Sequence, residues 1–188
     1  MDDMPNIAPE SGSLLISEPF LQDENFVRSV VLLCENNELG SFGLVLNKLS
    51  IFKLNELLED CVLDNEVYVG GPVEQNTLHF IYYGEQVLED SVSLGPKLWW
   101  GGDFAELLGK SKLGLVNISD FRFFLGYSGW ENGQLKEELI DNTWIVCDNS
   151  HTENIFTVAP DDLWRVILKN MGGDFQVLAN YPIDPRLN

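Results

Sequence analysis

Two apolar runs lie close together near the start of the chain, Val27 to Cys34 and Phe42 to Leu46, separated only by Glu35-Asn36-Asn37-Glu38-Leu39-Gly40-Ser41. Val30 to Cys34 is unbroken aliphatic and thiol, with no polar residue on alternate positions. A strand with one face in water alternates apolar and polar residues, whereas a run this uniform suits a strand covered on both faces. The intervening Asn/Gly segment supplies turn residues, so the pair reads as a hairpin of two buried strands. A chain that buries both faces of a hairpin must wrap it with other elements.

The rest of the chain has the means to do so. It has 188 residues, 45% of them apolar and 11% aromatic, and a chain of this length buries roughly 70% of its unfolded surface in a single core. The reading is one domain over residues 1–188, with 1–12 a loose polar arm. Charge narrows the partners: 30 Asp+Glu stand against 11 Lys+Arg, a net of -19. Binding to DNA draws on Lys and Arg that displace counterions from phosphate, so direct nucleic-acid contact is not expected. The acidic Met1-Asp2-Asp3-Met4-Pro5 does not resemble a secretory signal, and no apolar run approaches the roughly 20 residues of a membrane span. Cys34, Cys61 and Cys147 are widely spaced among apolar neighbours, as buried thiols in a reducing cytoplasm are. With only His79 and His151 to add, no close-spaced ligand pair supports a metal, and neither metal nor cofactor is expected.

Further elements follow from spacing. Ser13 to Ile16, Val67 to Val69 and Leu78 to Tyr83 read as strands, the second stopping at Gly70-Gly71-Pro72. Leu54, Leu57, Leu58 and Cys61 predict a short amphipathic helix, and Asp103 caps another that carries Phe104, Leu107 and Leu108. Phe121 to Leu125 reads as a strand that turns through Gly126-Tyr127-Ser128-Gly129-Trp130 into a helix bearing Leu135 and Leu139. Thr143 to Cys147 and Ile155 to Val158 read as strands. A last helix opens at Pro160, buries Leu163, Val166, Ile167 and Met171, and stops at Gly172-Gly173. Hairpins mixed with helices predict an α+β fold with one mixed or antiparallel sheet.

Three segments invite chemistry. In Gly126–Trp130, Ser128 sits at a strand-turn-helix junction, with Asp148 and His151 following in the chain order of an α/β-hydrolase. The nucleophile elbow needs Gly two residues after the serine, however, and here that position is Trp130. A tight turn with Gly126 and Gly129 at positive φ, flanked by packed Tyr127 and Trp130, accounts for the segment without catalysis. The Gly70-Gly71-Pro72-Val73 turn lacks the following helix and the nearby cations of a phosphate loop. Gln134 and Glu138 are one helical turn apart and present donor and acceptor groups on one face.

Taken in order, these motifs resemble the YqgE/AlgH family of small bacterial proteins, over nearly the whole chain. The resemblance rests on Leu21-Gln22-Asp23 with Phe26, on Arg28-Ser29-Val30-Val31 and Cys34-Glu35, on Gly43-Leu44-Val45 with Asn47-Lys48, and on Gly70-Gly71-Pro72-Val73. It rests above all on Gly126-Tyr127-Ser128-Gly129-Trp130 continuing to Gly133-Gln134-Leu135, Glu138 and Trp144, with Trp164-Arg165 behind. The resemblance implies an α+β fold whose branched sheet partly closes into a small barrel flanked by short helices. Family members commonly carry Ala where Ser128 stands, so the motif does not require the hydroxyl, and many carry His where this chain has Asn36. The AlgH name carries a description as a transcriptional regulator, while no enzymatic activity is established for the family as a whole.

The functional expectation is a cytoplasmic binding or regulatory module that acts through a protein or small-ligand partner. Its contact residues would be Gly70, Gly71, Pro72, Tyr127, Trp130, Gln134 and Glu138. The alternatives are a serine hydrolase using Ser128, His151 and Asp148, and a transcriptional regulator as the family description has it.

Overall fold

A computed structural model describes residues 8–59 and 61–182, so most of the expected N-terminal arm lies outside the described residues. The expected hairpin is present: β2 (Val30–Asn37) and β3 (Gly40–Val45) pair antiparallel around a two-residue turn. Short β1 (Leu14–Ser17) pairs antiparallel with β2 and also with β10 (Trp144–Cys147). Leu14, Leu15, Ile16 and Val30 to Leu33 are all fully buried, because both faces of these strands are covered.

Between β3 and β10 run β4 (Leu49–Lys53), the one-turn helix α1 (Leu54–Leu57), β5 (Glu66–Val69) and β6 (Val73–Tyr83). Then come β7 (Val92–Gly95), β8 (Leu98–Trp100), α2 (Phe104–Lys112), β9 (Phe121–Glu131) and α3 (Gln134–Ile140). Past β10 the chain forms α4 (Asn154–Thr157), α5 (Pro160–Met171) and α6 (Gly173–Leu178). The ten strands form one α+β sheet in the order β10-β1-β2-β3-β9-β6-β8-β7, with β4 and β5 branching from β9. Among the described residues only β5 and β9 pair in parallel, which makes the sheet mixed. The path is open, and among the described residues no backbone ladder closes it into the small barrel that the resemblance implied. The sheet does curl: the rings of Trp130 on β9 and Trp144 on β10 are 5.9 Å apart although three strands separate their backbones, and α3 lies in the gap.

Three apolar clusters hold this arrangement. Even-numbered residues of β1 and β2 face Leu163, Trp164, Ile167 and Leu168 of α5, while the odd-numbered Leu15, Val31 and Leu33 face Trp130, Leu135 and Trp144. The third cluster lies under α1 and α2, around Phe80, Tyr82, Phe121 and Phe123.

Three expectations are corrected. Gly126–Trp130 is not a turn: β9 runs straight through it for 11 residues, and α3 begins only after Asn132-Gly133. Of its glycines only Gly126 has positive φ (+66°), and it marks the place where β9 changes partners. Before it β9 pairs with β5, after it with β3. Ile155–Val158 is not a strand but falls on α4, since a four-residue apolar run fits either element and Ile155 buries fully beneath the helix turn. The helix expected over Leu54 to Cys61 is a single turn. Strands β4, β7 and β8 and helix α6 were not anticipated.

Candidate functional site

The two glycine motifs meet at the branch point of the sheet. Gly70 N donates to Leu125 O at 2.8 Å and Gly70 O accepts from Val45 N at 2.8 Å, so this residue stitches β5, β9 and β3 together. Contact is backbone to backbone: a Cβ on Gly71 would stand 2.2 Å from Tyr127 O, and one on Gly126 2.7 Å from Val73 O. No side chain fits there, which explains the glycines as packing requirements. Gly70 and Gly71 are buried, and neither they nor Pro72 lines either of the two cavities described below.

Ser128 belongs to the same junction. It is fully buried, and its hydroxyl donates to Gly70 O at 3.1 Å. Asp148 accepts from Ser150 N at 3.0 Å and from the Ser150 hydroxyl, and these bonds, with a smaller contribution from His151, hold its carboxyl below the usual range. Among the described residues no hydrogen bond joins His151 to Ser128 or to Asp148. Ser128 and Asp148 are thus each engaged with partners outside the hydrolase reading.

The expected contact residues divide between the two faces of the sheet. Tyr127 and Trp130 are three apart on a continuous strand, so their side chains point to opposite sides. Tyr127 stacks on Phe42 at 4.6 Å and meets the edge of His79 at 5.9 Å. Next to that cluster a mostly apolar cavity of about 410 Å³ opens beside His79, Trp100 and Phe104. Burial pushes the His79 imidazole down, with Glu74 opposing it.

On the other face, Trp130, Gln134 and Glu138 do come together, lining a pocket of about 320 Å³ with Leu21, Asp23, Phe26, Thr143 and Trp144. Its centre is Glu138. One carboxylate oxygen accepts the indole N–H of Trp130 at 2.8 Å and that of Trp144 at 2.7 Å, and the other accepts the Gln134 amide at 2.9 Å. Gln134 returns its own oxygen to Glu131 N at 3.0 Å, so it ties the end of β9 to the start of α3. Phe26 packs on both indoles, stacked on Trp130 at 6.5 Å and edge-on to Trp144 at 5.4 Å. Asp23 stands exposed at the rim and caps its own loop by accepting Asn25 N at 2.8 Å. Lys48 fastens that loop, donating to Glu24 O at 2.6 Å. Burial lowers the pKa of its ammonium against a smaller opposing pull from Asp23.

Asp23, Phe26 and Trp144 were not expected at the site. The signal that could have found them was their place in the motifs carrying the family resemblance. Other motif residues are structural: Asn47 accepts Val30 N at 2.9 Å and donates to Arg28 O at 2.9 Å, and Arg28 lies over the Trp164 ring at 4.7 Å. Asn36 donates to Pro9 O at 2.7 Å and accepts the Ser41 hydroxyl at 2.7 Å. Among the described residues no group of three or more His, Cys, Asp or Glu is placed to hold a metal, and no helix is long and apolar enough to cross a membrane.

The AlgH-like family model (DUF179) matches residues 14–176, and the chain belongs to that family. It is 46% identical over 179 residues to a UPF0301 protein of Cytophaga hutchinsonii, covering 94% of this chain and 98% of that protein. To a UPF0301 protein of Parabacteroides distasonis it is 40% identical over 188 residues, covering 97% and 93%. The fold is also that of the AlgH protein from Pseudomonas aeruginosa (TM-score 0.70, 27% identity, 95% and 98% covered). The crystal structure of DIP2367 from Corynebacterium diphtheriae shares it too (TM-score 0.79, 23% identity, 95% of each chain covered).

Proposed function

We propose that this protein is a binding or regulatory module that acts through a protein or small-ligand partner, and that the partner is received in the Trp130–Gln134–Glu138 pocket. The observation that carries this reading is the convergence on one concave site of residues from four separate segments: the loop with Asp23 and Phe26, the end of β9, α3, and the start of β10. A volume of about 320 Å³ with aromatic walls and a few fixed polar groups is the usual character of a ligand site. The charge of -19 argues against regulation by direct contact with DNA. No observation favours the hydrolase alternative, since the Ser128 hydroxyl is buried and already donates to a carbonyl.

The test is affinity capture of both proteins and small molecules from a bacterial lysate, comparing wild type with Asp23→Ala/Gln134→Ala. Both of those side chains are exposed, so circular dichroism should show the variant folded. Species retained by wild type and lost by the variant support the reading. Identical lists from the two proteins overturn it.

A further inference from the structure

Resting on that proposed site, the question is which chemistry the pocket would accept. Its lining includes two carboxylates, Asp23 and Glu138, and no Lys, Arg or His. The aromatic rings of Phe26, Trp130 and Trp144 make the wall. Both indole N–H groups are already committed to Glu138, so the strongest donors of the site are not free to meet an anion or a carbonyl. What remains open is acceptor capacity, backed by the buried rings of Trp130 and Trp144 and the half-buried ring of Phe26. The Glu138 oxygen that receives the Gln134 amide takes one bond where a carboxylate oxygen has room for two. Asp23 uses one oxygen for the Asn25 amide and keeps the other. Lys48, which fastens the loop carrying Asp23, has its ammonium turned to the Glu24 carbonyl.

Carboxylates beside aromatic side chains form an arrangement that attracts a cation on an apolar stem: the acids supply charge and hydrogen-bond acceptors, and the rings supply an apolar wall. We propose that the pocket binds an alkylammonium or guanidinium group on an apolar stem, the head directed to Glu138 and Asp23 and the stem against the aromatic wall. The head belongs either to a Lys or Arg side chain of a partner or to a free polyamine-like molecule. Both present the same chemistry to these residues.

The test uses agmatine and cadaverine as free cations, Nα-acetyl-Lys and Nα-acetyl-Arg methylamides as side-chain mimics, and pentanol and pentanoate as neutral and anionic counterparts. NMR titrations to about 50 mM follow four resonances of the site, the Trp130 and Trp144 indole N–H and the Gln134 and Asp23 backbone amides. The cations should bind at least about tenfold more tightly than pentanol, with pentanoate weakest, and the preference should shrink with salt. Asp23→Asn, which leaves the shape of the rim intact, should weaken cation binding by about three- to tenfold and leave pentanol unchanged. A preference for the free amines or for the amino-acid mimics says which source the pocket is shaped for. Equal binding of pentanol and cation, or an Asp23→Asn variant that binds cations as wild type does, overturns the inference about charge while the pocket as a binding site stands. If no probe moves these resonances, the cation inference fails, and the capture experiment decides separately whether the site binds something else.

Discussion

Replacing Glu138 separates a carboxylate that builds the pocket from one that merely borders it. In the Ala variant three acceptor contacts vanish at once: two indole N–H bonds at 2.8 and 2.7 Å and the Gln134 amide at 2.9 Å. A bond to a charged acceptor contributes about 1.5–3 kcal/mol, but the Gln134 amide is exposed and finds water instead, so its share is a few tenths. The two indoles are buried residues whose donors face an open pocket, and water entering it recovers part of what is lost. The expected net cost is about 2–4 kcal/mol, a fall in Tm of about 5–15 °C for a chain of this size. Glu138→Gln should behave differently. Its amide oxygen can take the place between the two indoles, while its NH2 group meets the Gln134 donor; the cost is about 1 kcal/mol, from the weaker neutral acceptor and that one mismatch.

Urea unfolding followed by tryptophan fluorescence measures both variants, with the slope of the transition checked against wild type so that only stability is compared. The indole N–H resonances of Trp130 and Trp144 should move in both, and further in Ala. Two results would refute the reasoning: an Ala variant within about 0.5 kcal/mol of wild type, or a Gln variant as damaged as Ala. A third outcome would be more informative still. If Glu138→Ala were more stable than wild type, the carboxylate would be held at a cost, as groups kept for function often are, and its indole bonds would not be what keeps it there.

The remaining predictions concern the sheet junction and the thiols. Ser128→Ala should cost only about 1 kcal/mol, because Gly70 O keeps its bond from Val45 N, and a fluorophosphonate probe should label neither protein; labelling of wild type that disappears in the variant would restore the hydrolase alternative. Cys34, Cys61 and Cys147 are free and buried, so iodoacetamide at pH 8 should leave the native protein unmodified and alkylate all three in urea. Burial, assisted by Asp148, pushes Cys147 up to about 11. The unfolded thiol ionises near pH 9 while the native one stays protonated, so this residue costs stability as pH rises from about 9 to 11, by about 2 kcal/mol. Wild type should lose that much more than Cys147→Ala between pH 8 and 11, and equal losses would count against the burial argument.

What could be read from the sequence was whatever is encoded within one element. The β2–β3 hairpin announced itself because two-sided burial leaves no alternation in Val30–Cys34, and α2 and α5 announced themselves through their first residues, Asp103 and Pro160. The Gln134–Glu138 pair was likewise legible, since both sit on one short helix at i and i+4. The junction was not. Local rules take Gly126 and Gly129 as turn residues, but the demand on Gly126 comes from Val73 and Gly71, more than fifty residues upstream, and spacing along the chain carries no trace of such an approach. That single misreading had a functional consequence. Read as a turn, Gly126–Trp130 puts Tyr127 and Trp130 on one recognition surface; as a strand, it sends Tyr127 to the aromatic cluster with Phe42 and His79 and leaves Trp130 to the pocket.

The strand is also what makes the pocket. Had β9 ended at Leu125, Trp130 would lie on a flexible connection; instead its backbone is held in register with Ser41 of β3, and its indole is aimed at α3 from a fixed base. Glu138 then draws together Trp130 and Trp144, from strands that do not pair with each other, across the curl of the sheet. The curl and the pocket belong together: three strands separate β9 from β10 along the sheet, and side chains bridge the two and leave a space with acceptors in its lining. The near-neutral run from Phe121 to Trp130, in which Arg122 is the only charged residue, belongs to this scaffold, and the acids that give the space its charge, Asp23 and Glu138, come from the elements laid over it.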